Sequence, residues 1–98
     1  MTTLTQKTKD MSAAIHSLRE ELEAVDLYQQ RIDLCADEAL KEVLAHNRDE
    51  EKEHAAMLIE WLRRQDKVFA QELDAYLFTD KGLSHNLKKA RTLVGSQV

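Results

Sequence analysis

The chain has 98 residues, 33% of them charged and only 5% aromatic, with a formal net charge of −4. That length holds one small domain at most, and with no proline and both glycines (Gly82 and Gly95) near the end, long helices are favoured over sheet. An acidic chain without a basic stripe does not suit a nucleic-acid backbone, and no window approaches the ~18 apolar residues of a membrane span.

The charge is unevenly distributed. Residues 1–80 hold all 18 acids against 10 bases, a balance of −8, whereas residues 81–98 hold Lys81, Lys88, Lys89 and Arg91 and no acid, a balance of +4. The acidic body suits cations. The opening stretch MTTLTQKTKD lacks the apolar core of a signal peptide, and the single Cys35 excludes an intrachain disulfide. Both features point to a cytoplasmic, reducing setting.

Residues 1–8 carry four threonines and are expected to form a flexible N-terminus. Residues 9–36 read as a first helix with an apolar stripe of Met11, Ala14, Ile15, Leu18, Leu22, Val25 and Ile32. Glu21 sits on the edge of that stripe, and Tyr28 follows two turns later on the same side. Asp37 is a suitable cap for a second helix over 38–65, whose stripe is Leu40, Val43, Leu44, Ala55, Leu58, Trp61 and Leu62. Trp61 and Met57 read as packing residues and Cys35 as a small core or interface residue. The connection is so short that the two helices must be antiparallel neighbours. Asp66 can cap a third, short helix over 67–78, expected to pack on another subunit or on the hairpin end. Residues 80–98 lose the stripe and read as a flexible tail.

Glu51 and His54 fall inside the second stripe, where leucine is expected. An ionised carboxylate on a buried face must be paired or bind a metal. With the hairpin turning near residue 37, Glu21 lies ~16 and Glu51 ~14 residues from the turn, so they reach similar heights at ~1.5 Å per residue. One Glu on the first helix and one Glu-x-x-His on the second make half of a two-metal carboxylate site, which in such bundles takes a Glu from each of two helices and a Glu-x-x-His from each of two others. Two chains would complete it with four Glu and two His. Carboxylate oxygen and imidazole nitrogen suit iron, manganese or zinc. Tyr28 reads either as a core aromatic or as a donor or redox partner beside the site. Glu20 and Glu23 read either as surface acids or as a cation path. His16, His46 and His85 lie off the stripes and read as surface residues.

The segments EELEAVDLY (20–28), AHNRDEEKEHAAM (45–57), EWLRR (60–64) and AYLFT (75–79), in this order, resemble the encapsulated ferritins across about residues 9–79. The resemblance implies an all-α fold: an antiparallel two-helix hairpin plus a short third helix, dimerising into a ferritin-like four-helix bundle, with dimers assembled into a decameric ring. It implies ferroxidase activity, Fe²⁺ to Fe³⁺, at a di-iron site between two subunits, with iron stored inside an encapsulin nanocompartment. By position, Glu21, Glu51 and His54 resemble the family's metal ligands, Glu20 and Glu23 the acids through which metal enters, and Tyr28 the tyrosine beside the site. Other divalent cations could also occupy those outer acids. Leu27 departs from the family pattern, which places Trp before that tyrosine. Residues 92–96, TLVGS, resemble the peptides that dock cargo to an encapsulin shell, with 81–91 as a tether. Two other readings use the same residues: a non-catalytic helical scaffold or adaptor, and a di-manganese or peroxide-consuming bundle. A haemerythrin-like oxygen carrier would need more inward histidines.

Overall fold

The computed structural model describes residues 3–84. It is all-α, with helices α1 (Gln6–Leu34), α2 (Glu38–Gln65) and α3 (Lys67–Tyr76), and no strand among the described residues. His85 and the stretch 92–96 lie outside these residues.

Each helix starts at a side-chain oxygen that accepts a backbone N–H otherwise left without a partner. The hydroxyl of Thr5 accepts from Thr8 N–H at 3.1 Å. The stripe alone predicts a start at residue 9, and this cap brings the helix forward to Gln6. Asp37 accepts from Leu40 N–H at 2.9 Å, as its position predicts. Asp66 serves two helices. Its N–H donates to Leu62 O at 3.0 Å, closing α2, and its carboxylate accepts from Phe69 N–H at 2.9 Å, opening α3.

Two ends fall short of their expected positions. α1 stops at Leu34 rather than 36, because Cys35 is extended and its N–H turns back to Ile32 O at 3.2 Å. α3 stops at Tyr76 rather than 78, because Leu77 is extended and Phe78 has φ 56°. A bulky side chain in that left-handed region cannot continue a right-handed helix.

α1 and α2 have 29 and 28 residues and run antiparallel along one another, and α3 packs on α2. A lone hairpin gives each stripe one neighbour, which cannot cover an apolar face ~100° wide. Accordingly only Ala14, Ala55 and Leu62 are buried among the described residues, while Leu22 and Val43 remain more than half exposed. Met57, expected to pack, is 64% exposed in the single chain. The radius of gyration is 18.0 Å, against ~13 Å for a compact domain of about 100 residues. The described residues contain no helix long and apolar enough to cross a membrane.

Candidate metal centre

Midway along the hairpin, Glu21 of α1 meets Glu51 and His54 of α2. One ligand atom from each lies within 4.8 Å of the others, and among the described residues no other three His, Cys, Asp or Glu side chains come together in this way. Helical spacing places Glu51 and His54 on neighbouring turns of one face, and the antiparallel pairing brings Glu21 to their height. Nδ1 of His54 stands 3.3 Å from Glu51 Oε2 and 3.4 Å from Glu21 Oε2.

A single ring nitrogen carries at most one hydrogen, so it cannot satisfy both carboxylates. The structure shows the result: Glu21 Oε2 is enclosed and has no hydrogen-bond partner, although His54 is near enough to attract it. Such an atom costs about 1–3 kcal/mol, and more when charged. A cation set between the three side chains would remove that cost. Two hard carboxylate oxygens and an imidazole nitrogen form a donor set that first-row divalent metals accept. The centre is open on one side, with the two glutamate side chains 24% exposed and that of His54 47%.

The remaining expected residues stand outside this cluster. Glu20 and Glu23 are exposed. Glu20 faces His16 at 3.5 Å, one turn earlier on α1, and both side chains are about two-thirds exposed. His46 pairs in the same way with Glu50 at 3.5 Å. Tyr28 is half-buried two turns from Glu21, with the Arg31 guanidinium 5.6 Å from its ring centre. Cys35 sits in the connection, its Sγ 3.5 Å from Asp37 O.

One polar contact between the helices escapes sequence reasoning. Arg48 Nη1 donates to Gln29 Oε1 at 2.7 Å, tying α2 to α1 on the loop side of the centre. The spacing of Arg48 from Glu51, three residues, is the only hint the sequence offers, and it does not name Gln29.

The family profile described as EncFtn-like matches residues 1–80. The chain is 57% identical over 77 residues to the encapsulated ferritin-like protein of Rhodospirillum rubrum, covering 79% of this chain and 55% of that protein. It is 52% identical over 81 residues to the ferritin-like protein of Thermotoga maritima, covering 83% of this chain and 71% of that one. It is 35% identical over 78 residues to the encapsulin nanocompartment cargo protein EncC of Myxococcus xanthus, covering 76% of this chain and 60% of that one. The chain thus spans little more than half the length of the Rhodospirillum relative. A crystal structure of a Nitrosomonas europaea protein matches with a TM-score of 0.81 and 65% identity, covering 84% of this chain and 90% of that one.

Proposed function

This chain belongs to the EncFtn-like family, and on that premise we propose that it is a ferroxidase that takes Fe²⁺ as substrate at a centre completed by two copies. The observation that carries this reading is the meeting of Glu21, Glu51 and His54 around an enclosed carboxylate oxygen without a partner. A second copy would bring the set to four Glu and two His and close the exposed side of the half-centre.

In this reading the chain's side chains do three things. The exposed acids Glu20 and Glu23 raise the local concentration of Fe²⁺. Glu21, Glu51 and His54, with their mates, hold two ions, and the carboxylates stabilise the ferric product as hard oxygen donors. Tyr28, two turns away on the same side, would act as a redox partner, giving up an electron to the centre from a distance. The balance is simple: each Fe²⁺ gives up one electron, and two of them convert one dioxygen and two protons to hydrogen peroxide.

The exposed apolar side chains of the hairpin and of α3, Leu22, Val43 and Val68 among them, support association with further copies, which in this reading are dimers gathered into a ring of ten chains. The names of two relatives, an encapsulated ferritin-like protein and an encapsulin nanocompartment cargo protein, support association with an encapsulin shell, and in this reading residues 92–96, by their resemblance to docking peptides, would hold the chain to that shell.

The test is to add Fe²⁺ in air to metal-free protein and to Glu51→Ala, and to follow ferric absorbance. Fast oxidation lost in the variant supports the reading. Equal slow oxidation with no bound iron leaves a helical scaffold.

A further inference from the structure

The apolar core of the hairpin is lopsided. Ala14 lies before Glu21 on α1, and Ala55 and Leu62 lie after His54 on α2. In an antiparallel pair these positions are level with the metal centre or on its far side from the connection. The loop-side half, residues 22–34 and 38–50, contains no buried residue. Glu21 and Glu51 stand at the edge of this half, and two carboxylates at one place push each other apart, so the register on the loop side bears on their meeting.

Apolar side chains there, Val25, Ile32 and Leu44, are only half-buried, and the one side-chain hydrogen bond that crosses between the helices in that half, among the described residues, runs from Arg48 Nη1 to Gln29 Oε1. Both ends are oriented by further contacts. Gln29 Nε2 donates to Asp33 Oδ1 at 3.0 Å, which fixes the amide so that its oxygen faces Arg48. Arg48 Nε donates to Asp49 Oδ1 at 3.0 Å, and Lys52 reaches the same oxygen at 3.2 Å. Asp49 balances the guanidinium charge, so Arg48 is not a free counter-ion for the centre. Its side chain is 22% exposed, sheltered enough for a charge-assisted bond to resist screening. Arg48 lies about 9 Å along the axis from His54 and one turn before Glu51, so a slip at Arg48 is passed along a stiff helix to both ligands.

We infer that Arg48, through Gln29, is a positioning residue that keeps the two helices in register so that Glu21, Glu51 and His54 form one metal centre. This inference rests on the metal-centre reading above. Without the clasp, the loop-side half loses the one polar contact that fixes its register, and the ligands reach a metal in a wider and more variable arrangement.

The test uses Co²⁺ added to the full-length, metal-free protein, because its visible absorption reports both affinity and coordination geometry. Arg48→Met and Gln29→Met each remove one partner at nearly constant volume, and Gln29, which is exposed, is the milder change for folding. Each is expected to weaken Co²⁺ binding about tenfold and to alter the visible band, with far-UV circular dichroism unchanged. The double variant should cost no more than either single one, because the bond is lost only once. Arg48→Lys, which keeps a charged donor, should recover part of the loss. Affinity and band within twofold of the unaltered protein in both single variants would overturn the inference, as would effects that add in the double variant. Glu51→Ala separates the two levels. If it binds Co²⁺ normally, the metal centre itself is wrong and the inference falls with it. If it loses Co²⁺ while the clasp variants keep it, only the positioning role fails.

Discussion

Glu21 of α1 and His54 of α2 place Oε2 and Nδ1 3.4 Å apart across the hairpin, yet the carboxylate oxygen has no hydrogen bond. Attraction without satisfaction is the character of the centre: three side chains are gathered, and their donors and acceptors do not close among themselves.

Replacing His54 by Ala removes the only nitrogen donor of the candidate half-centre. Iron oxidation should fall by at least about 100-fold, while helix content holds, since the ring is 47% exposed and carries little packing. Initial rates of ferric absorbance beside circular dichroism check this. Full activity in a variant that still assembles would remove His54 from the proposed mechanism.

Assembly should depend on metal. In the proposed dimer each copy would bring Glu21 and Glu51 towards the same pair on its mate, where a bound cation would offset their repulsion. Chelation is expected to shift sedimentation towards smaller species, and Co²⁺ or Fe²⁺ to reverse it. Identical profiles with and without metal would show that apolar contact alone drives assembly.

Glu60 gives a pH signature apart from the metal. It accepts from Arg63 Nε and Nη2 at 2.6 and 2.7 Å and from Arg64 Nε at 2.6 Å. The Arg63 hydrogen bonds first, then that of Arg64, hold its carboxyl down at about 2, from an ordinary 4.5. A depressed carboxylate stabilises the fold fully above its unfolded value, and this contribution is lost as pH falls from there through about 2. Glu60→Gln should therefore melt below the unaltered protein at pH 6 in low salt. The gap should shrink between pH 5 and 2, and also with added salt, because the pair is exposed. A gap that persists unchanged to pH 2 would mean the hydrogen bonds matter without the charge.

Asp66→Ala deprives α3 of its cap. A loss of about 1 kcal/mol is expected, read as faster amide exchange at Phe69 and a lower melting temperature. Asp37→Ala should cost a similar amount in global melting, but without local fraying at Phe69. Protection of the Phe69 amide in Asp66→Ala would show that contact with α2 alone holds α3.

Much of this was legible because it depends on local rules. Asp37 and Asp66 lie just before new apolar stripes, and each caps a helix. Glu21, Glu51 and His54 stand out because charge appears where a stripe predicts leucine, and similar distances from the turn make them meet. Thr5 was hidden among four threonines, and a hydroxyl cap leaves no mark on apolar periodicity. Met57 reads as a packing residue, and in the single hairpin it stays 64% exposed, because its apolar character does not say which neighbour covers it. The Arg48–Gln29 bond depends on how two long polar side chains meet across helices, and neither helix encodes that alone.

The double duty of Asp66 has a mechanical consequence. Since one residue ends α2 and begins α3, there is no slack between them, and α3 stands out as a bracket, not as a hanging flap. A surface pressing on its open side, where Val68 is 66% exposed, acts on a lever whose fulcrum is the last turn of α2. That turn contains Leu62, the most enclosed side chain described, at 1% exposure. The angle at which α3 meets its surroundings is therefore set by the best-anchored point of the chain, and one glycine inserted after Asp66 would turn a rigid arm into a loose one.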